Sequence, residues 1–270
     1  MKLVLCLTLF FCSFYNFSQN IIPNSGFGNK TNCPFSAAQL DFVSYWFSPL
    51  FFNSTDYFNK CDTTKRLGIP WNAAGYQMSK RDSGYIGFSP FGLILNLREY
   101  FAIHLLQKLE VNKKYKIVLY SNLANEAQYS VSLNHFCVYL SEDSISMPQS
   151  HGSAPLPFQP QISAGSENDF LEDTLNWTKL SFLYQAQGGE EYIYIGNFND
   201  DANTNSREIN SNGTIQAAYY YIDDVSLIRL YEKDLTVQAI TTDSLCYFSD
   251  SRLQVEVQNN SPDTLNFTQT

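Results

Sequence analysis

Nine short runs rich in Tyr, Ile, Val and Phe, cut apart by Gly, Pro, Asn and Ser, set the strongest limit on what this chain can fold into. They cover Gly84–Phe88, Arg98–Leu106, Lys114–Leu123, Ser130–Leu140, Thr178–Leu183, Glu191–Asn197, Ala217–Leu230, Leu235–Ile240 and Leu253–Gln258. Runs of this length and composition, bounded by turn residues, predict strands and an all-β fold. Arg98–Leu106 fits a helical stripe about as well as an alternation, and is read here as a strand. The run "YYYIDDVSLIRL" raises its own question. Successive side chains of a strand point to opposite faces, so one of the adjacent Asp223 and Asp224 must face inward. An inward carboxylate needs hydrogen-bond donors or a cation.

Hydrophobic residues make up 44% of the 270, and aromatics 16%, enough to bury a sizeable core. The 17 Lys and Arg against 26 Asp and Glu leave a formal charge of −9. That balance argues against a nucleic-acid partner, whose phosphates need a basic footprint. Residues 1–19 read as a secretory signal, a minimal basic start followed by "LVLCLTLFFCSF", too short to span a bilayer comfortably. Cleavage near Ser18 or Gln19 is expected to release the protein to the exterior or the cell surface. No other stretch invites a membrane span. Cys33, Cys61, Cys137 and Cys246 then remain in a route that permits disulfides. The polar, turn-rich surroundings of Cys33 and Cys61 favour a bridge between them, worth about 3 kcal/mol, while Cys137 in "HFCVYL" is expected as a buried thiol. The other outcome is that all stay reduced.

Residues 20–80 and 141–176 read as long loops, the second carrying the proline-rich "SMPQSHGSAPLPFQPQ". After Glu232 the composition changes, and residues 233–270 look like the first part of a second, truncated β domain, with further domains expected beyond Thr270. An exposed aromatic can stack on the apolar face of a sugar while amides read its hydroxyls. Trp71 and Tyr76 in "GIPWNAAGYQ", with Asn72 and Gln77 beside them, form the best such constellation. Catalytic signals are weak. "GFSPFG" lacks the spacing of a nucleophile elbow, and His104, His135 and His151 show no metal-ligand spacing, so each is read as structural or solvated.

Several blocks, in order, carry a family resemblance: "NIIPNSGFGNKTNCPF", "STDYFNKC", "GYQMSKRDSGYIGF", "REYFAIHLL", "NWTKLSFLYQAQGGEEYIYIGNF" and "YYYIDDVSL". Over about residues 20–232 the chain resembles the jelly-roll, carbohydrate-binding-module-like (galactose-binding-like) N-terminal domain of secreted and surface proteins of type IX-secreting bacteria. The tail resembles the start of an immunoglobulin-like adhesion repeat. The resemblance implies a two-sheet antiparallel jelly-roll sandwich, non-catalytic, with Trp46 and Trp177 in the core. It also implies a structural calcium where the first block meets the last strand. Asp223 or Asp224 would be its side-chain ligand, helped by backbone carbonyls near Asn24 to Phe27. The family's acidic residue after the Phe is replaced here by Gly28, which weakens such a site. The expected function is a secreted or cell-surface module that binds glycan or another surface polymer. The alternatives are a structural adhesion domain without a sugar ligand and a glycoside hydrolase.

Overall fold

The computed structural model describes residues 19–52, 54–94, 96–230, 235–240 and 254–259. Residues 1–18 of the expected signal therefore lie outside the described residues. Asn20–Arg229 forms one compact unit. Strands are numbered in chain order. One five-stranded sheet has the order β1 (Trp46–Phe47), β6 (Tyr100–His104), β12 (Tyr192–Gly196), β9 (Cys137–Ser141) and β10 (Ile162–Ser163). The second has the order β11 (Thr178–Gln185), β7 (Lys114–Leu123), β14 (Ala217–Leu230), β5 (Gly84–Gly92) and β2 (Asp56–Asn59). Two small two-stranded sheets accompany them, the hairpin of β3 (Trp71–Asn72) with β4 (Gly75–Tyr76) and the long-range pair of β8 (Tyr129–Val131) with β13 (Ser206–Glu208).

This is the expected all-β, antiparallel jelly-roll sandwich. Most neighbours within a sheet come from distant parts of the sequence, as when β12 pairs antiparallel with both β6 and β9. Arg98–Leu106 resolves as a strand over Tyr100–His104, because its alternate residues Phe101 and Ile103 face the core. The run read as one strand over Ser130–Leu140 is instead two, β8 and β9, separated by a 3-10 turn at Leu133–His135. The stretch read as a loop over 20–80 contains β1 to β4.

Alternation buries one row from each sheet. Phe101, Ile103, Ile193 and Val138 of the first pack with Ile117, Leu180, Phe182 and Ile222 of the second. Phe88 joins the layers, its ring 5.1 Å from Phe101 and edge-on to it. The outer row of the first sheet, Tyr100, Tyr194 and Cys137, is also buried. The proline-rich segment covers it, placing Leu156 and Phe158 against that face. The N–H of Leu156 donates to the Tyr100 hydroxyl and that of Ile145 to the Tyr194 hydroxyl. Cys137 is thus a buried free thiol, and Cys33 and Cys61 are joined as a disulfide, as expected.

In the tail, β15 (Leu235–Ile240) pairs antiparallel with β16 (Gln254–Asn259). Most of the expected immunoglobulin-like domain, Cys246 included, lies outside the described residues.

Three buried acids, Glu99, Asp56 and Asp223, are raised by burial and make the fold pH-sensitive, Asp223 up to about 8. Glu99 accepts the Ser89 N–H at 2.7 Å, and burial pushes its carboxyl up to about 7, with the charge of Asp56 adding to the rise. A carboxyl that binds its proton more tightly when folded contributes stability below its unfolded pKa and loses it as pH rises. Glu99 should therefore lower the melting temperature progressively between pH 4.5 and 7. Glu99→Gln, which keeps an acceptor for Ser89, should reduce that slope in thermal melts and leave the part due to Asp56 and Asp223, and an unchanged slope would remove Glu99 as a source.

Candidate functional site

The cis Ile69–Pro70 bond leads into the β3–β4 hairpin, where Trp71 pairs with Tyr76. The turn needs glycine at position 75, where φ is +136° and a side chain would run into Asn125. The hairpin is fastened at several points. Gln77 N–H donates to the Pro70 carbonyl, Ala73 N–H to the Arg66 carbonyl, and Tyr76 N–H to Asn125 Oδ1 at 2.8 Å. Trp71 is 55% exposed and Tyr76 44%, with ring centroids 4.7 Å apart and planes at 70°. Two large aromatic surfaces are therefore held in solvent on a braced turn.

Asn72 and Gln77 do not join them. In a strand the neighbour of an outward residue points inward, and Asn72 is buried beneath the hairpin. Its Nδ2 donates to the Tyr85 hydroxyl at 2.8 Å, and its Oδ1 accepts from the Tyr221 hydroxyl at 2.7 Å and from Ala74 N–H at 2.9 Å. Gln77 is buried too, its amide donating to the Leu175 carbonyl at 3.5 Å. The sequence reading placed both amides beside the rings to read hydroxyls; their bonds instead fix the hairpin from below.

Two apolar residues that the sequence reading passed over stand nearby. Met78 is 49% exposed and Leu175 is 79% exposed. The loop carrying Leu175 is shaped by Asp173, whose carboxylate accepts the N–H groups of Leu175 and Asn176. It docks on the hairpin's outgoing strand through Gln77 and through the Trp177 indole, which donates to the Met78 carbonyl at 2.9 Å. The available signal was the Asx-turn pattern "DTLNW" just before a strand.

Trp46 is in the core, its ring 4.8 Å from Phe27 and 5.8 Å from Phe101. Trp177 is only partly buried, packed against Tyr85. His135 is buried, and its Nε2 accepts the Asn205 N–H at 2.7 Å, which places the ring proton on Nδ1. Burial pushes this imidazole down to about 4, so it is neutral. Glu99 and Asp56 sense each other electrostatically, but Glu99 is buried and Asp56 is held by the Tyr219 hydroxyl and the Ala38 N–H.

The aspartate pair divides, with Asp223 on the row of Tyr219 and Tyr221 beneath the 80–81 turn and Asp224 interrupting the alternation. Asp223 is fully buried, while Asp224 adopts a left-handed φ of +49° and is partly exposed. Asp223 Oδ2 accepts the N–H groups of Lys80 and Arg81, and Oδ1 that of Asp224. Hydrogen-bond donors thus satisfy the inward carboxylate. Among the described residues, no group of three or more His, Cys, Asp and Glu side chains is placed to hold a metal ion.

No family model matches the chain, and no curated protein matches it. Among solved structures, it is similar to an arabinose-bound MgGH51 α-L-arabinofuranosidase, at 15% identity and a TM-score of 0.43, over 81% of this chain. The chain spans only 28% of that enzyme's length. It is also similar to the CBM22-1 xylan-binding domain of Paenibacillus barcinonensis Xyn10C, at 12% identity and a TM-score of 0.34, over 68% of this chain and 85% of that one. A third is the K1 cleaved adhesin domain of Lys-gingipain from Porphyromonas gingivalis W83, at 16% identity and a TM-score of 0.33, over 75% and 94%.

The two sides of the hairpin should respond differently to truncation. Asn72→Ala leaves the Tyr221 hydroxyl and the Ala74 N–H without their buried acceptor, while the Tyr85 hydroxyl loses one donor and keeps its bond to the Gln77 carbonyl, a cost of about 2–4 kcal/mol. Trp71→Ala, on the solvent side, should change stability by no more than about 1 kcal/mol. Denaturant titration of both variants measures the contrast, and equal losses would show that Trp71 is structural.

Proposed function

We propose that this chain is a non-catalytic binding module of an exported protein, and that it takes a glycan on the Trp71–Tyr76 hairpin. The observation that carries the reading is a pair of solvent-facing aromatic rings whose backbone is braced by buried amides. Exposed aromatic surface gains free energy when an apolar ligand face covers it, and a braced ring loses little side-chain entropy on binding. The ring planes at 70° to each other suit a sugar that lies on one ring and abuts the other. Met78 and Leu175 would extend the apolar floor for further units of a polymer.

The surroundings agree in charge and compartment. Trp71, Tyr76, Met78 and Leu175 carry no charge, and the chain as a whole is acidic, which favours neutral over anionic polymers. The Cys33–Cys61 disulfide belongs to an oxidising compartment. Among the described residues, no helix is long and apolar enough to cross a membrane.

A panel of neutral and acidic polysaccharides, screened by affinity electrophoresis and followed by calorimetry on any hit, tests the reading. Trp71→Ala should weaken binding by at least about tenfold without altering the melting transition. Binding unchanged in that variant would move the site elsewhere on the domain. Failure to bind any member of the panel would favour an adhesion or spacer domain without a sugar ligand.

A further inference from the structure

The family resemblance seats a cation where the N-terminal block meets β14, and the donor set found there does not fit a calcium ion. Such an ion takes six or more oxygens, several of them charged. The inward carboxylate of Asp223 already accepts three backbone N–H groups, at 2.6, 2.7 and 3.0 Å. The carbonyls of the first block are also engaged. That of Asn24 accepts the Phe27 N–H and the Trp46 indole, that of Ser25 accepts the Val225 N–H, and that of Phe27 accepts the Tyr57 hydroxyl. The Asn24 side chain bonds the N–H and carbonyl of Asn29 and the carbonyl of Ser44. Turning these oxygens toward a metal would strip buried donors of their acceptors, and each such loss is costly.

Gly28 contributes no side-chain oxygen, and the space beside it is already in use. A Cβ at position 28 would lie 3.0 Å from Asp82 Cβ, and one at position 26 would lie 2.6 Å from Asp82 Oδ2 and 2.9 Å from Arg81 Cγ. The two glycines of "SGFGN" thus let the Arg81–Asp82 turn approach the first block closely. Arg81 brings a positive charge with it. Its Nη1 donates to Asp224 Oδ1 at 3.1 Å, and its Nε lies 4.0 Å from Asp82 Oδ2. Its own backbone N–H is one of the three that Asp223 accepts.

We propose that the Arg81 guanidinium is the cation of this seam, paired with Asp224 and flanked by Asp82, and that the domain closes there without a divalent ion. The residue that caps the buried aspartate through its backbone neutralises the exposed one through its side chain. The seam should therefore answer to ionic strength and not to chelation. With the Arg81 side chain about half exposed, the ion pair itself is modest in strength.

Thermal melting of the full exported chain, in calcium and in chelator, tests this alongside Arg81→Gln. The expected wild-type melting temperature is the same in both media. Arg81→Gln should lower it by about 1–4 °C at low salt, with the difference shrinking at high salt. A calcium response that appears in Arg81→Gln and not in wild type would also support the proposal. A wild-type rise of about 5 °C or more in calcium, the shift a ligand gives at about a hundred times its Kd, would overturn it. So would an Arg81→Gln variant that melts like wild type at low salt. Neither result bears on glycan binding at the hairpin, which is assayed separately.

Discussion

The structure depends most on how one row of β14 grips the segment that precedes β5. Residues 219, 221 and 223 alternate along the strand, and each reaches across to that segment. The Tyr219 hydroxyl donates to Asp56 at 2.6 Å, the Tyr221 hydroxyl donates to Asn72 at 2.7 Å, and the Asp223 carboxylate accepts from Lys80 and Arg81. The segment between Asp56 and Arg81 is short of regular structure of its own, with only three brief strands. Its path is therefore set by polar bonds to a strand more than a hundred residues later. Buried polar groups of this kind fix one arrangement because any other leaves them unsatisfied.

That dependence explains why an aspartate interrupts so apolar a strand. Asp223 has no apolar substitute that could hold two N–H groups of the 80–81 turn, and the turn in turn fixes where the hairpin's outgoing strand runs. Trp71 and Tyr76 stand in solvent because the layer below them is fully bonded. Glycine at position 87 belongs to the same device, since the Tyr219 hydroxyl lies where a side chain there would sit.

Much of the fold was legible because strand burial follows composition closely in a sandwich. Lys114–Leu123 and Ala217–Leu230 run over the same bounds in sequence and structure. Ser130–Leu140 did not survive as one strand, because the turn at Leu133–His135 is marked only by Ser132 and Asn134 and carries no Gly or Pro. The Cys33–Cys61 bridge was readable from polar surroundings at both cysteines. The candidate site was legible only in its exposed aromatics. Trp71 and Tyr76 were found as loop aromatics, but Asn72 and Gln77 were given the wrong side, since a two-residue strand shows no alternation in sequence. Met78 and Leu175 were missed because they become neighbours of the hairpin only through long-range bonds across about a hundred residues.

The lengths of the outer strands bear on how such a domain lives among many copies of itself. The first sheet ends on both sides in strands of two residues, β1 and β10, and the second ends in the four-residue β2 on one side. Strands this short offer too few free N–H and C=O groups to template pairing with another molecule. The eight-residue β11 is the long edge, and Lys179 stands exposed on it. The first sheet's aromatic outer face is meanwhile roofed by Leu156, Phe158 and Met147 of the chain's own proline-rich segment. Three of the four sheet edges are thus too short to pair with another copy, and the charge of Lys179 stands on the fourth.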